Sequence, residues 1–135
     1  MKSVRVLTCL LALLTMSACD FSPAGIRASL QKEDTNDVAD AYYTGGASSV
    51  YGQAARAELE ARNAIPPADW GAIDQREVAV GMGPISVEAA WGYPTAINTT
   101  TTAQGQDDQW VYRPCDTCSA SYVYFTDGRV TAIQN

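Results

Sequence analysis

The sequence contains no histidine. This absence excludes Ser-His-Asp and Cys-His catalysis, histidine proton shuttles and nearly all catalytic zinc sites, because each of them uses an imidazole ring. Cys9 and Cys19 lie in the first 19 residues, which leaves Cys115 and Cys118 as the cysteines of the main part of the chain. Zinc needs about four ligands, and two thiols do not supply them. We therefore predict neither a metal site nor a cofactor.

Basic residues are also scarce, since 9 Lys and Arg stand against 15 Asp and Glu, a net charge of −6. An acidic surface repels phosphate backbones, so nucleic acid is not expected as a partner. Acid–base catalysis needs two carboxylates in a shared cleft. The pairs Asp107-Asp108 and Glu58/Glu60 are instead interpreted as a solvated turn and an exposed helix face. We predict that the protein is not an enzyme.

No apolar run is long enough to cross a membrane. Lys2 and Arg5 precede an apolar run at 6–16, about half of the roughly 20 residues that a spanning helix needs. This layout is typical of a secretory signal. The run ends in MSAC at 16–19, which resembles the lipobox of bacterial lipoproteins. We therefore expect a lipoprotein signal peptide at 1–18 and acyl chains, palmitate among them, on Cys19.

The lipid provides the predicted membrane contact. Acyl chains bind at about 0.8 kcal/mol per buried CH2, so several of them hold a protein on a membrane almost permanently. Asp20 resembles the enteric signal for retention at the inner membrane, and the choice between inner and outer membrane stays open. The expected location is the bacterial cell envelope, facing the periplasm.

The predicted mature chain consists of a tether and one domain. Residues 19–47 mix charged and small residues with a Gly-Gly and no sustained apolar period, which predicts a lipidated N-terminus and a flexible tether with at most transient helix. Residues 48–135 are predicted to form an α+β domain, in which short helices pack on a three- to four-stranded antiparallel β-meander.

Local signals place the elements of this domain. A serine-capped helix is predicted from about residue 49 to Asn63, a short proline-initiated helix around Trp70, and a third helix from Pro84 to Gly92. The strand-like segments TAINTTTT, QWVYR, SYVYFT and RVTAIQ follow, and Asp127-Gly128 is a strong hairpin signal between the last two.

The CDTC segment lies between two aromatic strand segments. A redox-active pair usually lies at the start of a helix, where the dipole lowers the pKa of the attacking thiol. Export to an oxidising compartment favours a stable disulfide instead. We predict a Cys115–Cys118 disulfide that closes the hairpin and contributes about 1 to 2 kcal/mol, with a redox role as the alternative.

Aromatic side chains are the candidates for binding. In SYVYFT, Tyr122 and Tyr124 point to one face of the strand, and Val123 and Phe125 to the other. If the second pair faces the helices, the tyrosines lie on the open face of the sheet. An exposed aromatic patch is a reasonable protein-binding surface, and Tyr112, Tyr122 and Tyr124 are the predicted partner-binding residues. The alternative is that they only form cross-strand pairs.

Several short motifs follow one another between residues 76 and 134. They are Gly81-Met82, Val87, Trp91-Gly92-x-Pro94, Trp110-Val111-Tyr112, Tyr122-Val123-Tyr124-Phe125, Asp127-Gly128 and Val130-Thr131-x-Ile133. With the lipobox, their order resembles the SmpA/OmlA (BamE-like) family of small bacterial lipoproteins. The resemblance implies two helices on a three-stranded antiparallel sheet, similar also to the repeats of β-lactamase inhibitory protein. It further implies binding of other proteins rather than catalysis.

The chain departs from that family pattern in four segments: the tether, the helical segment at 49–75, CDTC, and TAINTTTT in place of a partner- and lipid-binding loop. The first hypothesis is a lipid-anchored, periplasm-facing protein-binding or scaffold module that acts in envelope or outer-membrane protein assembly, with an unidentified envelope protein as partner. Two alternatives stay open. One is a membrane-tethered thiol–disulfide oxidoreductase that uses Cys115 and Cys118, and the other is an inhibitor or immunity-type module.

Overall fold

Five short α-helices precede a four-stranded antiparallel sheet in the computed structural model, which describes residues 22–135. The predicted signal peptide, the lipidation at Cys19 and the first residues of the predicted tether lie outside the described residues. The strands follow one another in space as in sequence, in the order β1-β2-β3-β4. The predicted α+β fold is thereby confirmed. The elements are α1 (Pro23–Leu30), α2 (Thr35–Gly45), α3 (Val50–Ala61), a 3-10 turn (Pro67–Asp69), α4 (Trp70–Asp74), α5 (Pro84–Trp91), β1 (Ala96–Thr102), β2 (Gly105–Tyr112), β3 (Ser121–Thr126) and β4 (Arg129–Gln134).

The helices begin and end at residues with recognisable capping chemistry. The side chains of Ser22, Asp34 and Ser49 accept hydrogen bonds from backbone N–H groups in the first turns of α1, α2 and α3, which satisfies donors that a helix start leaves unpaired. Asn63, where the sequence predicts the end of α3, has φ 51°, a left-handed conformation that is common at helix ends. Every helix within 22–135 is too short or too polar to span a bilayer.

The first two helices correct the prediction of a flexible tether at 19–47. Residues 23–30 and 35–45 are helical, and α2 packs against both α3 and α5. Val38 and Ala39 are fully buried and Tyr42 is 3 % exposed. These apolar residues lie on one side of α2, while its acidic residues lie on the other and mask the apolar period in the sequence. The tether prediction is therefore wrong for these two segments.

A buried ion pair ties α3 to the two helices before it. Glu58 is 6 % exposed, and its carboxylate accepts a hydrogen bond of 2.9 Å from Arg62 and lies 3.5 Å from Arg27. Arg62 also donates to the backbone carbonyl of Leu30 and to the Thr35 hydroxyl. The hydrogen bond from Arg62 lowers the pKa of Glu58. This group therefore stabilises the packing of α1 and α2 on α3 at neutral pH.

The core lies between the helical layer and one face of the sheet. Val123 and Phe125 are 0 % and 2 % exposed, which confirms that this side of SYVYFT faces the helices. Phe125 packs against Trp110 of β2, with ring centroids 4.7 Å apart. Burial of large apolar side chains contributes roughly 1.5 to 3 kcal/mol each, so these residues hold the two layers together.

The turn between β3 and β4 forms as the sequence predicts, and β1 is an edge strand of the sheet. Asp127 and Gly128 have φ of 48° and 75° in the turn between β3 and β4, as a two-residue turn with both central residues left-handed requires. All seven residues of β1 are exposed. The helical layer therefore covers the other strands more than it covers β1.

Candidate binding cleft

A cleft of ≈ 600 Å³ opens where the C-terminal end of α5 meets one end of the sheet. Five parts of the chain contribute to it: α2, the segment after α4, the end of α5 with the turn that follows, the end of β2, and the start of β3. No carboxylate is among the described residues that line the cleft, although the chain is rich in carboxylates. Its main side chains are four aromatic rings and two arginines: Tyr43, Trp91, Tyr93, Tyr112, Arg76 and Arg113.

Trp91 and Tyr112 form one wall of the cleft. Their rings meet edge to face, with centroids 5.2 Å apart and an interplanar angle of 83°. The Trp91 indole N–H donates to the backbone carbonyl of Arg76 at 2.9 Å, and the Tyr112 hydroxyl donates to that of Gly92 at 3.1 Å. Burial, with a smaller contribution from the nearby Glu88, raises the pKa of Tyr112, so this hydroxyl stays neutral. The wall is thus an apolar surface whose polar atoms are already satisfied.

Tyr43 and Arg76 form another part of the lining, next to the Trp91–Tyr112 wall. The guanidinium carbon of Arg76 lies 4.4 Å from the centroid of the Tyr43 ring, and its Nη2 donates to the Tyr43 backbone carbonyl at 2.7 Å. Gly92 has φ 77°, and a Cβ at this position would lie 2.7 Å from atoms of the Tyr43 ring. The Gly92 in the predicted Trp-Gly-x-Pro turn therefore allows the ring to pack against the end of α5.

Arg113 and Tyr93 lie at the open rim of the cleft. Tyr93 is 48 % exposed, and its hydroxyl donates to an Asp37 carboxylate oxygen at 2.7 Å. The Arg113 backbone N–H donates to the Thr95 hydroxyl at 2.8 Å, while its exposed guanidinium makes no ion pair or hydrogen bond with any residue in 22–135. The cleft thus has a free cationic group and an exposed aromatic ring among its lining side chains.

The predicted disulfide lies directly after this rim. The sulfur atoms of Cys115 and Cys118 are bonded, 2.04 Å apart, in the loop between β2 and β3. Arg113 and Pro114 line the cleft and precede the bridged loop. The pair lies in a loop rather than at a helix start. The bridge thus closes the short loop that follows Arg113 and Pro114.

The three tyrosines predicted to bind a partner do not share a face. Tyr122 and Tyr124 lie on the open side of the sheet, with ring centroids 6.5 Å apart. Tyr124 is hydrogen-bonded to Gln109 and Gln134 across the neighbouring strands. Tyr112 instead shares the helix-facing side of β2 with the buried Trp110, because β2 pairs Val111, not Tyr112, with Tyr122. Tyr112 therefore belongs to the cleft, and partner binding by Tyr112, Tyr122 and Tyr124 stays a prediction.

Sequence reasoning missed most of the cleft. Tyr43 lies in a segment predicted as tether, and Arg76, Tyr93 and Arg113 lie in connections that carry no periodic pattern. The available signals were the tyrosine pair in an acidic segment and the aromatic residue inside the Trp-Gly-x-Pro turn. Neither signal indicates that these residues lie close together in the folded chain.

A buried carboxylate lies behind the cleft, between α2 and α5. Glu88 is 3 % exposed, and its Oε1 accepts a hydrogen bond of 3.1 Å from Asn36. Its Oε2 has no hydrogen-bond partner among the described residues. Burial, opposed by the hydrogen bond from Asn36, and the negative charges of Asp40, Asp34 and Asp37 raise the pKa of Glu88 to about 7. Ionisation of Glu88 is therefore unfavourable to the packing of the two helices that carry Tyr43 and Trp91.

Comparisons with known proteins identify no relative of this chain. No family model matches the chain, no curated protein matches its sequence, and no solved structure matches its fold. The resemblance to the SmpA/OmlA family therefore stays a prediction. Within 22–135, no three His, Cys, Asp or Glu side chains form a group that could hold a metal ion.

Proposed function

We propose that this chain is a protein-binding module and that the aromatic–arginine cleft is its binding site. The observation that carries the proposal is the free guanidinium of Arg113 and the exposed ring of Tyr93, which line the same cleft as the Trp91–Tyr112 wall. Tyrosine, tryptophan and arginine are the residues that most often dominate binding energy at protein interfaces. The lining of the cleft contains all three.

The domain is proposed to act as a lipid-anchored scaffold in the bacterial cell envelope, facing the periplasm. MSAC at 16–19 supports lipidation at Cys19, and the acidic net charge supports a partner other than nucleic acid. The motif order between residues 76 and 134 supports a role like that of SmpA/OmlA proteins in envelope or outer-membrane protein assembly. This role needs no chemistry beyond binding.

Photo-crosslinking in cells tests the proposed site. A benzoyl-phenylalanine at position 93 places the reactive group in the cleft, and the same residue at position 124 places it on the open face of the sheet. We expect a discrete crosslinked protein from position 93 that disappears when Arg113→Gln is added to the same chain. A product from position 124 alone would favour the open sheet face and contradict the cleft.

The crosslinking experiment needs a control for surface charge. Lys32 is an exposed cation far from the cleft in sequence and without a described partner, so Lys32→Gln removes the same charge elsewhere. The product from position 93 should persist in this variant. Equal loss in both variants would mean that the product depends on overall charge rather than on the cleft.

A further inference from the structure

We infer that the cleft accepts an extended segment of another protein that carries a carboxylate next to an aromatic or apolar side chain, and that this segment continues along the open edge of β1. The inference rests on the proposed function. It adds the chemistry of the recognised segment and the path that the segment takes.

The carboxylate follows from the charges of the cleft. Its lining has two arginines and no carboxylate among the described residues. Arg76 is held against Tyr43, whereas the Arg113 guanidinium is free within 22–135. A guanidinium presents a planar set of donors that matches a carboxylate, and such charge-assisted pairs are stronger than neutral hydrogen bonds. One carboxylate at the rim therefore complements the site.

The apolar neighbour follows from the aromatic wall. Trp91 and Tyr112 present rings whose polar atoms are already bonded within the protein. An apolar or aromatic side chain can cover these rings without leaving a buried donor or acceptor unpaired. The Asp37 carboxylate accepts the hydrogen bond from Tyr93 at the rim and adds negative charge there. This charge disfavours a polyanion, so a protein segment with a single carboxylate fits the cleft better than a nucleic acid does.

The path along β1 follows from the position of Thr95. This residue lines the cleft, and β1 begins at the next residue, Ala96. As the first strand of the sheet, β1 pairs only with β2 among the described residues, so its other edge presents unpaired backbone groups. Residues 96–102 contain no proline and no charged residue, and their register with β2 has no bulge. The edge thus lacks the usual features that prevent pairing with another strand.

Ile97 supplies an apolar contact beside this edge. It is 51 % exposed, although it pairs with Trp110 and therefore lies on the face that packs against the helices elsewhere in the sheet. An added strand would carry side chains to the same face at every second residue. One of them would cover Ile97. Strand addition of this kind obtains affinity from main-chain hydrogen bonds and selectivity from pockets for alternate side chains.

Selection from random peptide libraries tests the recognised chemistry. The full chain in detergent is used to select decapeptides from one library with free C-terminal carboxylates and from a second with amidated C-termini. We expect enriched peptides with a carboxylate beside an aromatic or apolar residue. Enrichment from the first library alone would show that the recognised carboxylate is the peptide C-terminus. Enrichment of Asp or Glu in the second library would show that it is a side chain.

Affinity measurements on the selected peptides separate this inference from the proposed function. Arg113→Gln should weaken binding about tenfold to a hundredfold, as the loss of a charge-assisted hydrogen bond implies, and Lys32→Gln should leave it unchanged. Peptides that bind equally to wild type and Arg113→Gln while competing with the crosslinked partner would overturn the inference and leave the proposed function standing. Enrichment of no peptide over the same support without the protein would overturn both.

Amide hydrogen exchange tests the path. With a selected peptide bound, exchange should slow in 96–102 and stay unchanged in 129–134, which form β4 at the other edge of the same sheet. Equal slowing at both edges, or none in β1, would overturn the strand addition.

Discussion

Glu88 should make the stability of the protein depend on pH. The unfolded chain releases this proton near the ordinary carboxyl pKa of 4.5, whereas the folded protein holds it up to a pKa of about 7. Between these two values the folded state binds more protons, so the free energy of unfolding falls as pH rises. Below about 4.5 the effect is absent, and above about 7 the penalty is constant.

The expected magnitude follows from the gap between the two pKa values. Each pKa unit corresponds to about 1.4 kcal/mol, which gives a penalty of about 3 kcal/mol at pH 8 for Glu88. Glu88→Gln removes the charge and keeps an oxygen that can accept the hydrogen bond from Asn36. The variant should therefore be about 2 to 3 kcal/mol more stable than wild type at pH 8 and nearly equal to it at pH 4.

Urea unfolding followed by tryptophan fluorescence at several pH values measures this difference. Glu33→Gln is the control, because Glu33 is an exposed carboxylate just before α2. Its effect should stay below about 0.5 kcal/mol throughout. A gain for Glu88→Gln that is the same at pH 4 and pH 8, or that shrinks as pH rises, would refute the assignment of a buried, protonated carboxyl.

Three further predictions concern packing, the disulfide and the anchor. Gly52→Ala should cost about 3 kcal/mol in urea unfolding, because a Cβ at this position would lie 1.8 Å from the Gly46 carbonyl oxygen, and a neutral effect would contradict the close packing of α2 and α3. The free energy of unfolding should fall by about 1 to 2 kcal/mol in the double variant Cys115→Ser/Cys118→Ser, which should keep the fold. A reduction potential of the wild-type pair above about −270 mV would favour the oxidoreductase alternative over a structural bridge. Cys19→Ser should move the protein from the membrane to the soluble fraction and abolish palmitate labelling, and membrane association that persists would contradict lipidation at this residue.

Much of the fold could be predicted because its local signals agree with one another. The Asp127-Gly128 turn, the alternation in SYVYFT and the proline at the start of α5 each specify a local geometry. α2 was missed because its apolar face is short and lies among acidic residues. Its burial depends on the partners α3 and α5, which no local pattern within the segment shows.

The site was harder to predict because its residues do not belong to a single helix or strand. Tyr43, Arg76, Tyr93 and Arg113 come from separate parts of the chain, and only the packing of α2 on α5 and the register of β2 with β3 bring them together. The separation of Tyr112 from Tyr122 and Tyr124 could not be predicted for the same reason. Alternation within one strand gives two faces, but the relative phase of two strands depends on their register.

The three tryptophans allow the most direct test of the cleft as binding site. Trp91 lines the cleft, whereas Trp70 and Trp110 are each 6 % exposed in the core. The indole N–H resonances should be followed by NMR during titration with a selected peptide. We predict a saturable shift of the Trp91 signal with little change in the other two. An unchanged Trp91 signal at saturating peptide would contradict the cleft as the binding site.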